Sequence, residues 1–272
     1  MEVSIKMKQG LRYYSKLYFK IIAQDIKSKM QYRTDFYISS IGMIATNLSG
    51  LLSFWLLFKS IPDIKGWSYN EMIFLYGFSL LAITPVQIFF DNIWNISHYT
   101  LTGDFIKYCF RPINIFFYYI SDVFDMKGIS QMLFGILTLG YGWVKLGVPL
   151  TIVNILLLIL ALIGASLVMT GIMVLASSSA FWITNSTSVL LFVYNFKDYS
   201  KYPMSIFNTV FKLIFSIIIP VGFIAFYPSQ LFLRPNAASV TAFLSPLVGA
   251  AFFALAYFVW MRGARRYSGT GS

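Results

Sequence analysis

From Leu150 to Trp182 the chain carries no charged residue and few polar ones. As one helix at 1.5 Å per residue this run would reach about 50 Å, beyond the roughly 30 Å of a bilayer's hydrocarbon core. It predicts a single long, tilted span that projects into the cytoplasm, because a second crossing needs a turn and only Gly164 and Gly171 interrupt it. The remainder agrees: 58% of residues are hydrophobic and 11% charged, and the mean hydropathy is +0.70. The apolar stretches lack the period-2 alternation of barrel strands, which leaves helices. The expected fold is an all-α membrane protein: six transmembrane helices, an N-terminal interfacial amphipathic helix, and both termini cytoplasmic.

The first 35 residues predict that interfacial helix. Leu11, Tyr14, Leu17, Tyr18, Ile21, Ile22, Ile26 and Met30 recur at helical spacing, and Lys16, Lys20, Gln24, Lys27 and Lys29 fall elsewhere on the wheel. No apolar run there is long enough for a signal-peptide core, so the first span is expected to serve as an uncleaved signal. A single transmembrane domain, 36–267, follows. Its spans are expected near 36–58, 72–90, 128–143, 150–182, 210–226 and 240–260. Cytoplasmic connections are expected at 91–126 and 185–208, and 268–272 reads as a linker or tag remnant.

Charge orients this plan. The basic residues of 1–35, of 107–127, of 197–212 and of the tail Arg262, Arg265 and Arg266 would lie inside, against Lys59, Lys65, Lys145 and Arg234 outside. The net charge of +11 therefore needs no nucleic acid to explain it.

Much chemistry is excluded. There is no Gly-x-x-x-x-Gly-Lys-[Ser/Thr] loop to cradle nucleotide phosphates and no Gly-x-Ser-x-Gly elbow. One histidine, His98, and one cysteine, Cys109, rule out a multi-histidine metal site, a thiolate cluster and an internal disulfide. No charged residue falls near the centre of an expected span, which argues against a proton-coupled carrier. The uncharged polar residues nearest the middle of the first two spans are Thr46, Asn47, Thr84 and Gln87. They are candidates for a substrate pathway, or equally for hydrogen bonds between helices.

Three segments carry a resemblance. Leu101-Thr-Gly-Asp-Phe-Ile-Lys-Tyr-Cys-Phe-Arg-Pro-Ile-Asn114, in the first cytoplasmic loop, resembles the "Gly, acidic residue, then Leu-Arg-Pro-Leu-Asn" signature of ABC type-2 transporter permeases, with Phe110 in place of a leucine. Tyr199-Ser-Lys-Tyr-Pro-Met-Ser-Ile-Phe207 resembles the approach to the fifth span in the six-span branch of that family. Ile219-Pro-Val-Gly-Phe-Ile-Ala-Phe-Tyr-Pro-Ser229 resembles its exit.

The resemblance implies a non-catalytic permease of a bacterial ABC exporter in the plasma (inner) membrane. Such a subunit pairs with a second permease, identical or paralogous, and with two ABC ATPase subunits that hold the ATP and Mg; no cofactor is expected in this chain. Thr102, Gly103, Asp104, Phe105, Tyr108, Arg111 and Pro112 would then form an ATPase-coupling loop, with Phe105 and Tyr108 anchored in the partner. The other reading of this loop is that it packs on the chain itself. Aromatic content suggests an amphipathic or lipid-like cargo. The alternatives are a membrane-embedded assembly factor and a lipid-modifying enzyme, for which Asp122 and Asp125, three apart, are the visible acid pair.

Overall fold

The computed structural model describes residues 10–235 and 240–267; the tail 268–272 lies outside them. Among the described residues every regular element is helical. The helices are α1 (Leu11–Lys29), α2 (Arg33–Ser60), α3 (Tyr69–Phe89), α4 (Ile96–Thr102), α5 (Ile106–Cys109), α6 (Ile115–Ser121), α7 (Lys127–Lys145), α8 (Ile152–Ser178), α9 (Ser186–Asn195), α10 (Thr209–Leu213, continued as a π-turn to Ile218), α11 (Phe226–Leu233) and α12 (Val240–Arg266).

The core is built around α3. Ser68 and Glu71 start it with a reciprocal capping box, and Met72–Leu80 is buried without a break. Continuous burial fits a helix hydrophobic all round that is enclosed by other helices. α7 runs antiparallel to it, with Gly142 against Phe74, Gly77 against the Leu139 backbone and Gly128 against Ile88. A second pair, α8 and α12, runs parallel, from Gly164 beside Pro246 to Phe181 beside Gly263. A Cβ on Gly249 would stand 2.2 Å from the Gly164 carbonyl oxygen, so this close approach is built on two glycines. Ala161 and Ala165 lie buried nearby, whereas Ala250 and Ala254 are exposed. Small residues that admit close backbone contact are what hold helices together where lipid removes the hydrophobic drive.

Thr34–Ser60, Tyr69–Phe89, Ile152–Phe181 and Val240–Arg266 are long and apolar enough to cross a membrane, and a bent pair, Thr209–Ile218 with Val221–Leu233, is a further candidate. α2 and α8 begin and end close to the expected positions.

The segment 185–208, expected as a cytoplasmic connection, packs along α3. Gln87 donates to the Tyr194 hydroxyl at 3.2 Å, the Ser79 and Ser200 hydroxyls lie 2.5 Å apart, and Trp67 donates to Ser205 Oγ at 2.8 Å. The segment thus climbs the whole of α3, from its C-terminal end to its N-terminal end. It does so as α9, a 3-10 turn at Phe196–Tyr199 and an extended stretch at Pro203. Such a broken path leaves no uninterrupted apolar run for hydropathy to detect.

The expected fifth span, 210–226, is broken at Pro220, as that proline in the sequence predicts. The helix from Thr209 to Ile218 meets the one from Val221 to Leu233 at 72°, and Ser216 and Tyr227 join hydroxyls across the bend at 2.6 Å. Both ends of this hairpin return to one place: Lys65 donates to the Ile206 carbonyl at 3.3 Å and Arg234 to that of Gly66 at 2.9 Å.

Candidate functional site

The loop singled out by its sequence, 101–114, has two faces. Gly103 ends α4 at φ 85°, a left-handed conformation that explains a glycine there. Across it Thr102, the last residue of α4, donates to Asp104 at 2.8 Å. Asn114 caps α6 by accepting from the Phe117 N–H at 3.0 Å and donates to the Tyr257 hydroxyl of α12 at 2.8 Å. The Arg-Pro-Ile-Asn ending of the motif is thus a joint between the loop and the last long helix.

The inner face is aromatic and closed. Phe105 and Tyr108, expected as anchors, are fully buried inside this chain. Phe105 packs on Phe181, Trp260 and Tyr267, at the ends of α8 and α12. Tyr108 packs edge-on against Tyr119 and donates to Asp122 at 2.6 Å; burial first, and that bond second, push its hydroxyl's pKa up. Tyr119 donates to the Asn92 carbonyl at 2.5 Å and Asn92 returns a bond to the Tyr119 carbonyl at 2.6 Å, which ties the loop to the end of α3. Trp67, Tyr119 and Trp260 are all core residues.

The outer face carries Leu101, Thr102, Asp104, Ile106, Phe110, Arg111 and Pro112, all exposed, with Phe110 at 79%. Arg111 lies over the Tyr118 ring at 5.3 Å.

α1 docks beside this loop. Tyr14 and Tyr18 face Phe117, Asp25 accepts from the Phe124 N–H at 3.0 Å, and Lys29 donates to the Phe124 carbonyl at 2.6 Å. Lys29 therefore lies on the packed face of the helix. Asp122 and Asp125 do not form a pair: Asp122 holds Tyr108, while Asp125 accepts from the Lys127 N–H, and both follow the end of α6.

A second feature was invisible in the sequence. A cleft of about 220 Å³ opens between α2, α3 and the climbing segment, lined by Thr46, Asn47, Gln87, Lys197, Asp198 and Lys201 among others. Three of the four candidate pathway residues meet there. Thr84 does not; it is buried and its hydroxyl returns to the Leu80 carbonyl at 2.8 Å. Asp198 accepts from Lys201 at 3.3 Å and from Lys197 at 3.5 Å, and the Lys197 ammonium stands 4.1 Å above the Tyr194 ring. These charges lie alongside the middle of α3, where the sequence plan has none. A charged side chain at the bilayer centre costs about 2.5–3.5 kcal/mol on insertion scales, so such groups face an interior cavity and mark function. Nothing in the local sequence distinguishes Lys197, Asp198 and Lys201 from a solvated loop; only their contact with α3 does.

The family model described as ABC-2 family transporter protein matches residues 43–271. No curated protein and no solved structure matches the chain.

Proposed function

Since the chain belongs to the ABC-2 transporter family, we propose that it is the permease subunit of an ATP-driven exporter in the plasma membrane, working with a second permease and two separate ATPase subunits. The observation that carries this reading is the loop 101–114, whose exposed outer face stands on an aromatic core shared with the ends of α3, α8 and α12. A push on Leu101, Ile106 or Phe110 reaches those helices through packed rings rather than through a flexible linker. ATP and Mg are held by the partner ATPase, and this chain carries out no chemistry of its own.

In the same reading the chain crosses the bilayer six times with both termini cytoplasmic. The segment 186–207 makes the fifth crossing, and 209–233 is a re-entrant hairpin from the outer side, held by Lys65 and Arg234. This places Lys212 outside, while the basic excess stays inside with α1, the loop and the tail. Thr46, Asn47 and Gln87 border the substrate pathway, for an amphipathic or lipid-like cargo.

Co-purification in mild detergent with the ATPase expressed from the same source tests the assignment. Asp104→Arg with Phe110→Glu alters exposed side chains only, so the chain should fold and lose its ATPase. If the unaltered, well-folded chain retains no ATPase, the permease reading fails. In that case a self-contained channel or a lipid-modifying enzyme takes its place.

A further inference from the structure

We infer that the cleft between α2, α3 and the segment 186–207 is a binding site for an anionic head group, carried by an amphiphile. This rests on reading the chain as a permease and names the chemical class of its substrate.

Charge is the first argument. Among the described residues, the charged ones lining the cleft are Lys197, Asp198 and Lys201. One carboxylate cannot neutralise two ammonium groups. It is also the most exposed of the three: the Asp198 side chain is 56% exposed, against 21% for Lys197 and 23% for Lys201. With two ammonium groups against one carboxylate, the cleft carries a net positive charge.

Unused hydrogen-bonding capacity is the second. The Asn47 side-chain nitrogen, on a cleft-lining residue, is buried and has no partner. Asn47 itself is only 7% exposed. Buried polar groups are nearly always satisfied, and a specific exception asks for the group that completes it. An Asn donor in a cleft that also holds two ammonium groups suits the oxygens of a phosphate, sulfate or carboxylate. Met43, Leu80 and Ile83 supply an apolar wall beside these polar groups, which suits a head group that carries a hydrocarbon tail.

The test uses the full chain in phosphatidylcholine nanodiscs, titrated with dodecyl phosphate, with dodecyltrimethylammonium and with inorganic phosphate. Dodecyl phosphate is expected to bind saturably, and Lys197→Met and Lys201→Met each to weaken it at least ten-fold. Asp198→Asn removes the competing carboxylate and is expected to tighten binding, a sign that a purely structural role would not produce. Methionine keeps the apolar stem, and far-ultraviolet circular dichroism with size-exclusion behaviour verifies folding.

If inorganic phosphate binds as well as dodecyl phosphate, the anion site stands and its natural ligand is a soluble anion. Equal binding of dodecyltrimethylammonium, or no effect of either lysine change, overturns the inference. Because binding is read on the permease chain alone, that failure is separate from loss of the ATPase, which would overturn the permease reading instead.

Discussion

The hydroxyls of Ser79 and Ser200 meet at 2.5 Å in the interior of the protein, and this one contact places the segment 186–207 against the middle of α3. Paired cysteines at these positions should oxidise to a disulfide, since side chains in such contact bring their Cβ atoms close to the separation a disulfide needs. In a Cys109→Ser background, Ser79→Cys with Ser200→Cys should cross-link intramolecularly in membranes under mild oxidant, seen as a mobility shift reversed by reductant. Failure to cross-link would return the segment to a solvated loop.

The hairpin predicts an orientation. Lys212→Cys in the same background should react with a membrane-impermeant maleimide added outside intact cells, whereas a cysteine at Lys107 should react only after the membrane is opened. Protection of position 212 until lysis would put the start of α10 on the cytoplasmic side.

Asn114 performs two tasks, so its variants should separate. Tyr257→Phe removes one hydrogen bond and should cost about 1 kcal/mol. Asn114→Ala removes that bond and the helix cap and should cost about 2 kcal/mol. Thermal denaturation in detergent gives the order of the two.

Glycine spacing sets the approach of α8 and α12. Gly249→Leu would drive a side chain into the Gly164 carbonyl and should destabilise by at least 1–3 kcal/mol, the range for overpacking. Ala250→Leu, on the exposed face of the same helix, should leave the melting temperature nearly unchanged.

Asp91, just beyond the end of α3, is pushed up from 3.8 to about 6 by burial first and by Asp125 second, with Lys29 and Lys127 pulling down and Asp25 adding to the rise. The folded chain then keeps a proton that the unfolded chain has lost. Stability should fall as pH rises from about 4 to about 6, with the penalty complete above 6. Asp91→Asn should raise the melting temperature at neutral pH and leave it unchanged near pH 4.

Hydropathy alone located α2, α3, α8 and α12, because a run of apolar residues must leave water whatever surrounds it. The half-buried face of α1 was also legible, since Tyr14, Leu17, Tyr18, Ile21, Ile22 and Ile26 share one side of a helix. The loop 101–114 was marked by its resemblance to the family signature, with Gly103 and Pro112 as its local punctuation. Tertiary structure decided the rest. Phe105 turns inward because Trp260 and Phe181, far along the chain, supply rings that bury it, and Tyr108 follows it against Tyr118 and Tyr119. The path of 186–207 depends on hydrogen bonds to Ser79, Gln87 and Trp67, and a charged, kinked segment reads as a loop until the helix that shields it is in place. The cleft has the same origin: Asn47, Gln87, Lys197 and Lys201 become one site only when three separate stretches of chain pack side by side.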